Sequence, residues 1–123
     1  MTEKREVSEA ELEASMPKVV GYKVLVALPP VEDTHDGLIV KSAQAKHIEE
    51  VYTVVGRVID IGPDAYKDAA RFPSGPWCKL GDWVVFRALS GSRFKVFGQE
   101  VRVLNDDSIE GVVADPRGIE RAY

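Results

Sequence analysis

Two histidines, His35 and His47, share one polar stretch with Asp33, Glu49 and Glu50. Imidazoles and carboxylates hold zinc, but a closed site needs them at compact tetrahedral spacing on a rigid frame. The spacing here matches no such set, and the stretch is too polar to build the frame. No metal is expected. Cys78, the single cysteine, stands beside Trp77 without a paired base and reads as a structural or exposed thiol, not a nucleophile. No Gly-x-Ser-x-Gly elbow, phosphate loop or dinucleotide fingerprint occurs. The residues therefore predict no catalytic group and no cofactor.

The elements that must position whatever remains are short. A chain of 123 residues has room for one modest domain. Its 45% hydrophobic and 29% charged content are those of an ordinary soluble fold. A formal charge of -4 attracts neither phosphate backbones nor anionic lipid, so no nucleic acid and no membrane partner is expected. One cysteine excludes an internal disulfide framework and suits a reducing compartment. No apolar run is long enough to span a bilayer, and residues 1–13 lack the apolar core of a signal peptide. The expected location is cytoplasmic.

Residues 7–16 read as a short helix, with Ser8 as cap, Glu11 as its capping-box partner and Pro17 as stop. Its apolar face is thin, so 1–18 is taken as an extension outside the core. From Tyr22 the texture turns to short β-rich runs at 22–28, 53–61, 82–88, 93–97, 100–104 and 109–113, punctuated by Gly, Pro and Asp. Gly56, inside the second run, predicts a bulge or a close approach. Strands at this spacing predict an all-β fold, a small antiparallel barrel. The domain plan is an extension over 1–18, a barrel over 19–114 and a tail over 115–123.

Two connections, 29–52 and 62–80, are much longer than the rest. Loops beyond about 12–15 residues without structure of their own tend to be functional or disordered. In 30–50, Val31, Leu38, Ile39, Val40 and Ile48 are scattered among charged and polar residues. That composition buries too little surface to offset the ordering of the backbone, so disorder in the free state is expected. Leu38-Ile39-Val40 beside Gly37 is nonetheless a compact apolar plug. It either tucks onto the barrel as an extra strand or waits for a partner's groove.

Read together, these stretches resemble the GroES family of small chaperonin subunits. Asp36-Gly37-Leu38-Ile39-Val40 resembles that family's Gly-Gly-Ile-Val-Leu mobile-loop motif. Thr53-Val54-Val55-Gly56-Arg57-Val58-Ile59-Asp60-Ile61-Gly62 resembles the Gly-Glu-Val-x-x-Val-Gly strand that follows it. Lys79-Leu80-Gly81-Asp82-Trp83-Val84-Val85-Phe86 resembles Val-Gly-Asp-x-Val-x-Phe, and 106–113 resembles the closing Ser-Asp-Ile-Leu-Ala-x-Val segment. The likeness runs from Gly21 to about Val113, in family order. Asp36 replaces a glycine, and 64–79 is bulkier than the usual roof hairpin. With the N-terminal extension, these departures resemble the divergent co-chaperonins of bacteriophages.

The resemblance implies a GroES-like barrel with a mobile loop at about 30–50 and a roof segment at about 63–79. It implies a homo-heptameric ring that caps a GroEL-type chaperonin and assists protein folding, with ATP bound by the cage and not by the cap. Gly37, Leu38, Ile39 and Val40 then contact the chaperonin apical domains. Tyr22, Val24 and Val26 of one subunit then meet Ile109 and Val112 of the next, the alternative being that both strands pair within one chain. Tyr66, Phe72 and Trp77 either plug the dome's orifice or staple the roof segment to its own barrel. A rival reading is an oligonucleotide-binding barrel stacking bases on Tyr66, Phe72, Trp77, Trp83 and Phe94. Against it stand the net acidity and the dispersal of Lys23, Arg57, Arg87, Arg93 and Lys95 along the chain. A second rival is a fragment of an alcohol dehydrogenase, which carries a GroES-like domain but also needs a nucleotide domain; hydride transfer is not expected.

Overall fold

The structure is a computed structural model and describes residues 8–29, 34–35, 39–40 and 53–119. Helix α1 (Glu9–Ser15) begins where the Ser8 hydroxyl accepts the Glu11 amide at 3.1 Å. Among the described residues eight strands follow: β1 (Lys23–Ala27), β2 (Thr34–His35), β3 (Ile39–Val40), β4 (Val55–Ile61), β5 (Trp83–Phe86), β6 (Ser92–Val96), β7 (Gln99–Asn105) and β8 (Ile109–Val113). Six of them form one antiparallel sheet in the order β6-β7-β1-β4-β5-β8, while β2 and β3 pair apart from it. The fold is all-β, as expected from the spacing of the runs.

Alternation along β1 divides the core. Val24 and Val26 join Val58, Val84, Phe86, Leu104 and Ile109 in the main apolar cluster. Those residues come from β1, β4, β5, β7 and β8, so the sheet must curl on itself to bring them together, which makes a small partly closed barrel. Leu25 faces the other way and clusters with Val96 and Val101. A strand apolar on both faces needs a cover on each. The second cover comes from the N-terminal segment: Leu12, Met16 and Val19 pack against Leu25, Val96 and Val101. The segment treated from sequence as lying outside the core thus seals its outer face.

Two irregularities let the sheet bend. Val26 pairs with Val58 and Leu25 with Asp60, leaving Ile59 as an extra residue on β4; Glu110 is the extra residue where β8 meets β5. Gly56 lies where a Cβ would sit 3.2 Å from both the Ala27 carbonyl oxygen and the Val26 Cβ. This is the close approach its place in the run predicts. Gly62 is tighter still, since a Cβ there would meet the Gly21 oxygen at 2.3 Å.

Charge is buried at one side of the core. Arg102 is fully enclosed, its guanidinium donating to the Ala88 carbonyl and lying 5.3 Å from the centre of the Phe86 ring. Glu100 sits between it and Arg93, with Oε2 3.1 Å from Arg93 Nε and 3.7 Å from Arg102 Nε. Burial pulls the Arg102 pKa down and the Glu100 charge opposes that pull. A buried arginine is tolerable only with such company.

The long connection 62–81 has no strand or helix, yet it is packed. Tyr66, Phe72 and Trp77 meet ring to ring, the centroids 4.9 Å apart for Tyr66–Phe72 and for Phe72–Trp77. Tyr66 and Phe72 are buried in the main cluster beside Cys78. Asp106, in the turn between β7 and β8, holds Tyr66 twice: its Oδ2 accepts the Tyr66 amide at 3.1 Å and its backbone oxygen accepts the phenol at 2.8 Å.

Two measurements check this packing. Leu104→Ala removes a fully buried side chain and should lower the unfolding free energy by about 2–5 kcal/mol, read from urea denaturation. Burial, and then the contact with Cys78, pushes the Tyr66 phenol above its ordinary 10.0; burial pushes the Cys78 thiol above 9.0. Folding therefore favours the neutral forms, and the unfolded chain loses these protons first as pH rises. Stability should be full below about pH 9 and fall as pH climbs through the alkaline range toward the folded-state values. Urea midpoints measured up to about pH 11 should fall less steeply in Tyr66→Phe than in the wild type.

Candidate functional site

The loop that follows β1 carries the apolar plug. Of its expected contact residues, Gly37 and Leu38 lie outside the described residues, and the backbone of Ile39 and Val40 forms β3. β3 pairs antiparallel with β2, Thr34 opposite Val40 and His35 opposite Ile39. The backbone of Ile39 and Val40 is therefore laddered within its own loop. It does not extend the six-stranded sheet, which was one of the two readings open from sequence. His47, Glu49, Glu50 and Asp33 lie outside the described residues. Among the described residues no group of three or more His, Cys, Asp or Glu side chains comes together as a metal site.

The expected contact surface between subunits needs a correction. β1 is hydrogen-bonded to β4 on one side and to β7 on the other, so neither of its edges can accept a neighbour's strand. Val24 and Val26 are fully buried and Ile109 nearly so, all three in the main core. Tyr22 and Val112 differ: they are 48% and 51% exposed. The expected contact of β1 with a neighbour's β8 therefore fails at β1. Within the sheet β8 pairs only with β5, which leaves its outer edge unpaired among the described residues. Val20, just ahead of β1, is 74% exposed.

The roof aromatics divide as well. Tyr66 and Phe72 staple their segment to the barrel and cannot stack on bases, which removes two members of the proposed oligonucleotide face. Trp77 remains 44% exposed. Asp106 and Arg102 escaped the sequence reading. Arg102 sits within the run Glu100-Val101-Arg102-Val103-Leu104, where alternation puts it on the charged side with Glu100 and so hides its burial. Nothing in the sequence around Asp106 marks it as the acceptor for a residue forty positions earlier.

This geometry can be set beside known proteins. The family model described as "Chaperonin 10 Kd subunit" matches residues 17–113, beginning just after α1. The chain is similar to a protein named Co-chaperonin GroES from Neisseria meningitidis serogroup C, with 32% identity over 91 residues, covering 73% of this chain and 88% of the relative. It is similar to the protein of that name from Paracoccus denitrificans, with 33% identity over 84 residues, 68% of this chain and 81% of the relative. A third, from Methylorubrum populi, is 30% identical over 83 residues, 68% of this chain and 80% of the relative. The chain, a six-stranded curled sheet with a long loop after its first strand, belongs to the chaperonin 10 kDa subunit family.

Proposed function

We propose that this protein is a co-chaperonin: identical subunits join in a ring and cap an ATP-driven, GroEL-type chaperonin through the loop between β1 and β4, assisting protein folding. The observation that carries this reading is β3, which gives Ile39 and Val40 a hairpin of their own outside the six-stranded sheet, in a chain of the matching family. Gly37, Leu38, Ile39 and Val40 are the contacts proposed with the cage's apical domains. Burying three aliphatic side chains is worth about 1.5–3 kcal/mol each. Ordering a segment of such polar composition on binding consumes about 2–5 kcal/mol, before the loss of rigid-body freedom. One loop therefore binds weakly. Several on one ring bind well, because each docking raises the effective concentration of the next.

A ring needs a heterologous contact that closes on itself. The outer edge of β8, with Val112, is one face of the proposed contact; the exposed Tyr22 and Val20 ahead of β1 are the other. The heptamer comes from the family likeness. The proposal includes no catalysis, no cofactor and no nucleic-acid or membrane partner, and a cytoplasmic setting; no helix among the described residues is long and apolar enough to cross a membrane.

Native mass spectrometry of the purified protein with a chaperonin and ATP tests the reading. The expected spectrum shows a homo-oligomeric ring alone and a capped complex with the cage; absence of both contradicts it. Ile39→Asp should abolish the capped complex and leave the ring intact. Loss of the ring in that variant would make the loop structural.

A further inference from the structure

Among the described residues two non-glycine residues have positive φ, Tyr66 at 61° and Phe97 at 47°, and of the pair only Tyr66 is buried. A bulky side chain in the left-handed region is strained and persists only where its surroundings hold it. The holder is Asp106, which accepts both the amide and the phenol of this one residue. The polar ties of the middle of the segment to the rest of the fold converge on the same turn, since Arg71 Nη2 reaches Asp107 Oδ2 at 2.5 Å. Most of the segment's remaining backbone bonds are internal, such as Phe72 to Asp68 at 2.8 Å and Gly75 to Phe72 at 3.0 Å. Its two ends are pinned separately: the Gly62 amide donates to the Lys23 carbonyl at 2.8 Å and the Asp64 amide to that of Gly21 at 2.9 Å, while the Gly81 amide donates to that of Val58 at 2.8 Å.

We infer that segment 62–81 is an aromatic lid that opens as a unit on an intact sheet, with the Asp106–Tyr66 contact as its latch. The ends stay fixed while the middle swings. Breaking the latch releases the backbone strain at Tyr66, so each step of opening makes the next easier. Phe72 and Trp77 leave with it, because they pack on Tyr66 and on each other. Opening carries Cys78, which sits on the lid's buried side 3.5 Å from the Tyr66 hydroxyl, out of the core. Local openings of this kind are separate from, and more frequent than, global unfolding. The inference stands apart from the capping proposal, since it concerns neither the loop after β1 nor the edge of β8.

Cys78 is the chain's single thiol and reports the opening directly. The test is the rate of Cys78 alkylation by iodoacetamide in the full-length protein, measured beside urea denaturation of the same samples. In the wild type the rate should rise with urea at a slope well below that of global unfolding, the signature of an opening that exposes only part of the buried surface. A rate that climbs from zero urea with the full unfolding slope overturns the lid. Asp106→Ala should label about tenfold faster or more, beyond what its change in global stability accounts for. Asp106→Asn, which keeps an acceptor for the Tyr66 amide, should stay near the wild-type rate. Wild-type labelling in Asp106→Ala, or acceleration equal to its loss of global stability, overturns the latch.

Discussion

β1 has no free side. Val24 and Val26 are buried in one apolar cluster and Leu25 in the other, while the strand's two edges are laddered to β4 and β7. Each such aliphatic side chain contributes about 1.5–3 kcal/mol by leaving water, so a strand enclosed on both faces adds strongly to the stability of the sheet. Much of the rest follows. The outer face of β1 has to be covered, and Leu12, Met16 and Val19 cover it, although α1 is too short to be stable alone. The backbone of β1 is saturated, so it offers no edge to another molecule's strand.

The two long connections illustrate opposite solutions to the entropy of a loop. Segment 62–81 carries Tyr66, Phe72 and Cys78 into the core, and the apolar surface they bury offsets the ordering of a stretch without regular secondary structure. The connection between β1 and β4 carries one compact apolar run, Leu38-Ile39-Val40, and over 30–50 its other apolar residues, Val31 and Ile48, stand scattered among charged and polar ones. The first composition suits a segment that packs on its own subunit. The second suits a segment that finds its apolar surroundings on a partner.

Strand content and the long loops were legible because local residues set them. Runs of β-branched residues bounded by Gly, Pro and Asp ended within a residue or two of the observed strands, and the run at 109–113 matches β8. Gly56 announced the close approach of β1 because only a missing Cβ permits it. Strand order was not legible. β1 pairs with β7 across most of the chain, Lys23 opposite Asn105, and no spacing of turns records which strand becomes the neighbour. The family likeness places Val24, Val26 and Ile109 at a subunit contact, whereas in this chain they pack in the core. The Asp106 latch was hidden for a related reason: its partner's left-handed backbone is imposed by tertiary contacts, and tyrosine carries no preference for it.

Amide hydrogen exchange, compared between the free protein and its complex with a chaperonin and ATP, tests this division between an enclosed strand and an outward-facing loop most directly. The account predicts that the amides of β1 exchange at the slowest rates in the molecule and do not change on complex formation, while residues 36–40 gain strong protection. Protection gained at β1 or at 62–81, with none at 36–40, would contradict it.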